Sequence, residues 1–98
     1  MIRVIIERQI SEGSIDDYLE LSRRARKRAN TIKGFIAGEL LQEKDNPNLA
    51  VIISSWEDIE SWNKWSDAKE RLEIMKEMRP LLSSDERVVV LENSNILG

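Results

Sequence analysis

Three short stretches of this chain are apolar at every position: Val4, Ile5 and Ile6; the run LAVII at residues 49–53; and the run VVVL at residues 88–91. A strand turns successive side chains to opposite faces of its sheet, so these segments put apolar surface on both sides. A sheet with one face in water alternates instead. Both faces of any sheet built from these strands must therefore be covered. The two helical regions read below suffice for one face, which leaves the other to a second copy of the chain. The expectation is a homodimer in which two sheets pack face to face. The rival cover is a helix formed by the tail at residues 93–98, which is too short for the task.

The remaining elements follow from local signals. Residues 2–10 read as a first strand, ended by Ser11, Glu12 and Gly13. Ser14 stands three residues before Asp17, with Asp16 between them, a helix start in which a hydroxyl can accept a first-turn amide and acids meet the positive helix end. Ile15, Leu19, Ser22, Ala25 or Arg26, Ala29 and Ile32 then recur at spacings of three and four, predicting an amphipathic helix to about Thr31 with Gly34 as its left-handed stop. Residues 35–43 and 49–55 read as a hairpin turned by Asn46, Pro47 and Asn48. Ser55 is the expected cap of a helix over residues 57–66. A further helical stretch begins near Ala68, carries Leu72, Met75 and Met78 at threefold spacing, and is stopped by Pro80. Residues 86–92 form the last strand. The order β-α-β-β-α-β, with a broken second helix, defines a single ferredoxin-like α+β domain: a four-stranded antiparallel sheet with helices on one face. Its core spans about residues 1–92 of the 98.

Composition narrows the chemistry. The chain has no cysteine and no histidine. That removes thiolate nucleophiles and disulfides, and with them the commonest general base and metal ligand. With 15 basic and 18 acidic side chains and a formal charge of -3, nucleic acid is not an expected partner. No apolar run is long enough to span a bilayer, so the expectation is a soluble, cytoplasmic protein with no membrane partner. No spacing suggests a metal cage, and the glycines form no phosphate loop.

Among the polar and aromatic residues, Trp56, Trp62 and Trp65 stand out by lying within ten residues. Trp62 and Trp65 are i, i+3 neighbours expected to share a helix face with Ile59 beneath them. Core and dimer packing is the ordinary use of such side chains. The functional use is to wall a flat apolar pocket for a planar aromatic ligand. The basic run Arg23, Arg24, Arg26, Lys27 and Arg28 is read as a solvated face in the cationic half of a helix that starts with acids. Glu7 shares a strand face with Arg3 and Ile5, opposite Ile2, Val4 and Ile6. A carboxylate taken out of water there can act as a base, and the alternative is a partner arginine or solvent. Asn63 and Tyr18 are lone polar candidates, each expected at the surface or partly buried.

The element order, Lys33-Gly34-Phe35 after the first helix, and Ser55-Trp56-Glu57-Asp58 leading to Trp62 and Trp65 resemble the antibiotic biosynthesis monooxygenase family of the dimeric α+β barrel superfamily, over nearly the whole chain. The resemblance implies a homodimer with a central barrel made from both sheets. It implies two activities. Cofactor-independent members oxidise polycyclic phenols or quinols with molecular oxygen in an apolar pocket between helices and sheet, the deprotonated substrate supplying the electrons. Heme-degrading members use a first-strand asparagine, a tryptophan after the third strand and a histidine about ten residues on. Trp65 matches that tryptophan, while Glu7 stands at the asparagine position and Met75 at the histidine position, which disfavours heme.

The expected function is thus cofactor-free oxygenation of a quinol-like or polycyclic aromatic molecule, without metal or other cofactor. Trp62, Trp65 and Met75 would line the pocket, Glu7 would accept a phenolic proton and Asn63 would hold the oxygenated intermediate. The alternative is a ligand-binding or structural homodimer that kept the fold without catalysis.

Overall fold

In the computed structural model, which describes residues 1–93, the order is the expected one: β1 (Ile2–Gln9), α1 (Ile15–Ala29), β2 (Phe35–Glu43), β3 (Asn46–Trp56), α2 (Ile59–Ser66), α3 (Lys69–Met78), a 3-10 turn (Arg79–Leu81) and β4 (Arg87–Glu92). The strands form one antiparallel sheet in the order β2-β3-β1-β4. The first residue of the tail, Asn93, lies beyond β4, and the rest of it falls outside the described residues.

Strand parity sets the two faces. Ile2, Val4, Ile6, Arg8 and Ile10 are all buried beneath the helices, and Ala50, Ile52, Ser54 and Trp56 of β3 share that side through the β1–β3 register. The other face carries a central row of Ile5, Ile53 and Val89, paired side by side across three strands. Those three side chains are only half-buried, and Leu41 and Leu91 on the same face are 45% and 43% exposed. Among the described residues no helix covers this face.

Several boundaries differ from expectation for local reasons. Ser14 makes no side-chain cap, so the acidic first turn and basic last turn of α1 are what complement its dipole. The helix ends at Ala29, where the Thr31 hydroxyl donates to the Arg28 carbonyl at 2.7 Å and draws the chain out of helix. Asn46, Pro47 and Asn48 belong to β3, with the ladder irregular between Gln42 and Glu43. That bulge admits a proline near the strand start, where it interrupts least pairing. Ser55 stays in the strand, and Asp58 caps α2 instead. Its Oδ1 accepts from the Ser61 amide at 2.8 Å and from the Ser61 hydroxyl at 2.7 Å, and these bonds hold the Asp58 carboxyl below the usual carboxylate range. Leu72 is 47% exposed, and Ile74, Met75 and Met78 make the buried face of α3.

The core lies wholly between sheet and helices. Its centre is Trp56, 1% exposed, with Phe35 edge-on at 5.0 Å and Trp62 edge-on at 5.7 Å between ring centroids. Edge-to-face pairs of this kind add about 0.5–1.5 kcal/mol each beyond the area they bury. Beside it Leu21 of α1 packs on Ile74, Met75 and Met78 of α3. Tyr18, expected at the surface or partly buried, is fully buried and packs with Ile10 and Ala50 at the far end.

Candidate functional site

Because α1, α2 and α3 cross the same face of the sheet, a cleft remains where their buried faces meet β1 and β3. Trp56, Trp62 and Trp65 wall one side, Met75 and Met78 another, and Ala25 and Ala29 keep the α1 side low. A water molecule's centre can range over about 100 Å³ within it, in about 700 Å³ of atom-free space that includes the open mouth. Trp62 and Trp65 are 5% and 6% exposed and Met75 is 3% exposed. The aromatic cluster thus serves both readings: Trp56 and Trp62 pack the core, and all three tryptophans border the cleft. Ile59 is not beneath them; at the first turn of α2 it is 44% exposed.

The polar groups expected to work with this pocket lie elsewhere. Glu7 is on the opposite face of β1, where Arg87 of β4 donates to it at 3.5 Å and leaves its side chain 42% exposed. Asn63 is exposed on the outer face of α2. Neither borders the cleft.

Other side chains supply its polarity. Arg8 of β1 is 5% exposed and lines the cleft. Its Nε donates to Glu86 Oε2 at 2.8 Å, one terminal nitrogen to the Tyr18 hydroxyl at 3.3 Å and the other to Met75 Sδ at 3.5 Å. Arg71 of α3 also lines it, with its side chain 11% exposed. Arg71 approaches Glu86 Oε1 at 3.7 Å, an ion pair longer than a hydrogen bond, and lies 5.7 Å from the Trp62 ring centroid. Burial lowers the proton affinity of its guanidinium, Glu86 opposes this, and the nearby Arg8 and Arg79 reinforce it. One carboxylate therefore serves two largely buried guanidiniums. The Ser22 hydroxyl of α1 borders the same cleft, buried and without a hydrogen-bond partner among the described residues. At the mouth, Arg26 donates to the Gly38 carbonyl and covers the Phe35 ring; its neighbours in the basic run are solvated, as expected.

The sequence held a signal for both arginines. Arg8 has the parity of Ile2, Val4 and Ile6, which places it on the helix-covered face. Arg71, Met75 and Met78 stand at i, i+4 and i+7 on one helix face. Charge favours solvent for such side chains, but here the periodicity decides. Heme does not suit this residue set: the chain has no histidine, and the Met75 sulfur accepts from a guanidinium. Among the described residues no group of three or more acidic side chains could hold a metal, and no helix is long and apolar enough to cross a membrane.

The protein is thus a ferredoxin-like α+β domain, a four-stranded antiparallel sheet with a tryptophan-walled cleft under its helices. The family model described as antibiotic biosynthesis monooxygenase matches residues 1–77, and the chain belongs to that family. Protein SchA of Streptomyces halstedii is 28% identical over 79 residues, covering 81% of this chain and 21% of that protein. The chain spans about a fifth of the length of the curated relatives it matches. Among solved structures, a conserved protein from Methanosarcina mazei superposes with a TM-score of 0.90 at 18% identity, over 95% of this chain and 92% of its own. SnoaB, a cofactor-independent oxygenase from Streptomyces nogalater, gives 0.81 at 18% identity, over 96% and 95%. At these identities the likeness to the solved structures is one of fold.

Proposed function

We propose that the protein is a cofactor-independent monooxygenase acting on a quinol-like or polycyclic aromatic molecule in the cleft between helices and sheet. The observation that carries this is the apolar cleft walled by Trp62, Trp65 and Met75 in a chain of the antibiotic biosynthesis monooxygenase family. In such a reaction the deprotonated ring supplies the electrons, one atom of dioxygen ends on the ring and the other leaves as water. The protein's part is to hold the ring, exclude bulk water and stabilise the charge that forms. The test is oxygen uptake with a panel of naphthoquinols and anthrones, against an autoxidation control and an anaerobic control. Oxygen-dependent turnover above the control, lost in Trp65→Ala, is expected. No excess across the panel overturns it.

A second reading, ligand binding without catalysis, is favoured by Glu7 and Asn63 lying away from the cleft. The same panel separates the two: tryptophan quenching by the ring compounds without oxygen uptake is the signature of a binding protein.

The active assembly in this reading is a homodimer. Its support is the apolar row Ile5, Ile53 and Val89 on the uncovered sheet face, flanked by Arg3, Glu7 and Arg87. Packing a second copy there removes that row from water and leaves the charges at the rim.

A further inference from the structure

We propose that Arg8 and Arg71 are the residues that hold the ionised oxygen of the aromatic ligand, at the end of the cleft where their guanidiniums meet. The inference rests on the cleft being the site of a ring that reacts as its conjugate base, and adds the two side chains that select and position that ionised form.

The argument begins with charge. Arg8 and Arg71 both line the cleft and share Glu86, so two positive charges face one negative charge and this end carries a net +1. Glu86 holds Arg8 through a 2.8 Å bond but stands 3.7 Å from Arg71. Among the described residues the Arg71 side chain makes no hydrogen bond within 3.5 Å: it meets Glu86 only through the 3.7 Å ion pair and lies beside the Trp62 ring. A guanidinium has five N–H donors, and those of Arg71 not turned to Glu86 remain available to a ligand oxygen. Burial already disfavours its charged form, so an anion that replaces lost hydration stabilises it.

Two further features fit a ligand with one polar end. The Ser22 hydroxyl is buried at the cleft without a partner among the described residues, an unsatisfied group that an oxygen on the ligand would satisfy. The rest of the wall is aromatic or aliphatic, suited to a ring. The remaining charged groups at the cleft are Arg26 of α1 and Glu39 of β2, one of each sign, and Arg79 lies behind Arg71. The balance at the ligand remains positive.

A positive site lowers the pKa of a bound hydroxyl, so the proton leaves to solvent on binding and the cleft needs no carboxylate base beside the ring. This accounts for a pocket that Glu7 does not reach.

The probe is 4-nitrophenol, whose anion is yellow, with 4-nitroanisole as the ring that cannot ionise. In the wild-type protein the bound dye is expected to titrate about one pH unit or more below the free dye, equivalent to ~tenfold preference for the anion. Arg71→Gln is expected to lose at least half of that shift, Arg71→Lys to keep most of it, and nitroanisole to bind all three alike. Far-UV circular dichroism reports whether the variants fold, and the wild-type titration decides the matter without them. A bound dye that titrates at or above the free value overturns the proposal. So does a shift that survives intact in a folded Arg71→Gln. If nitroanisole binds while the shift is missing, the ring site stands and the anion end falls; if neither compound binds, both fall.

Discussion

Gly34 sits against Ser61 with no room for a side chain between them: a Cβ built on Gly34 would lie 2.5 Å from the Ser61 Cβ and closer still to its hydroxyl. The contact joins the loop after α1 to the first turn of α2. Gly34 has φ +96, and its carbonyl accepts the Glu57 amide at 2.8 Å. Ser61 in turn donates its amide and its hydroxyl to Asp58, the cap of α2. Gly34→Ala therefore faces a left-handed backbone, costing about 1–3 kcal/mol, and a steric clash of similar size. A loss of roughly 2–6 kcal/mol in urea unfolding is expected from these two terms. Ser61→Gly in the same chain should return the steric part and leave the backbone part. If Gly34→Ala unfolds at the wild-type midpoint, the contact is not what holds this loop.

Two serines at the cleft make opposite predictions. Ser54 is buried and its hydroxyl accepts the Trp56 indole N–H at 3.0 Å. Ser54→Ala strands that donor beneath the sheet, at a cost of about 1–3 kcal/mol. Ser22 has no partner to lose, so Ser22→Ala should be neutral or slightly stabilising while weakening binding of a ring that carries a hydroxyl. Thermal melts of the two variants, with and without 4-nitrophenol, check both halves. Equal melting losses would show that Ser22 is bonded in solution.

Glu86 is the shared counter-charge of Arg8 and Arg71, and Glu86→Gln removes the charge while keeping an acceptor. Roughly 2–3 kcal/mol of stability should be lost, below the about 3–5 kcal/mol of a fully buried pair, because Glu86 is 21% exposed. The variant should also be stabilised by benzoate more than the wild type is, since an added carboxylate restores the missing charge. Urea midpoints across a benzoate series measure both effects. A midpoint unchanged by the substitution would mean that the arginines are hydrated in solution.

Most of the fold was legible because period and parity are coded locally. The double-parity runs announced an open apolar face, and Pro80 and the tryptophan cluster fell where expected. The helix starts were less legible: Ser14 and Ser55 have the right chemistry for caps, but whether a hydroxyl reaches its amide depends on the approach of the preceding chain, and Asp58 won at α2. At the site, the apolar wall of Trp62, Trp65 and Met75 could be read from spacing and resemblance. Parity and spacing mark Arg8 and Arg71 one by one, but not the polar end they form, because Arg8, Arg71 and Glu86 are brought together from β1, α3 and the approach to β4. A charged residue on a buried parity is readable only when its distant counter-ion is known.

The uncovered sheet face carries the remaining prediction. Ile5 pairs with Ile53 on one side and Val89 on the other, and Glu7 with Arg87 forms a 3.5 Å ion pair at one end of that row. In the proposed dimer the row meets its own copy, so Val89→Glu places two carboxylates at the centre of the interface. Burying unpaired charge there costs several kcal/mol, enough to turn a dimer into monomer at micromolar concentration. Arg87→Ala, at the rim and 75% exposed, should leave the assembly nearly unchanged. Size exclusion with light scattering reads the outcome directly: about 22.8 kDa for the wild type, twice the chain's 11.4 kDa, and a single chain for Val89→Glu. A wild-type mass of one chain would leave the apolar row without a partner and refute the dimer.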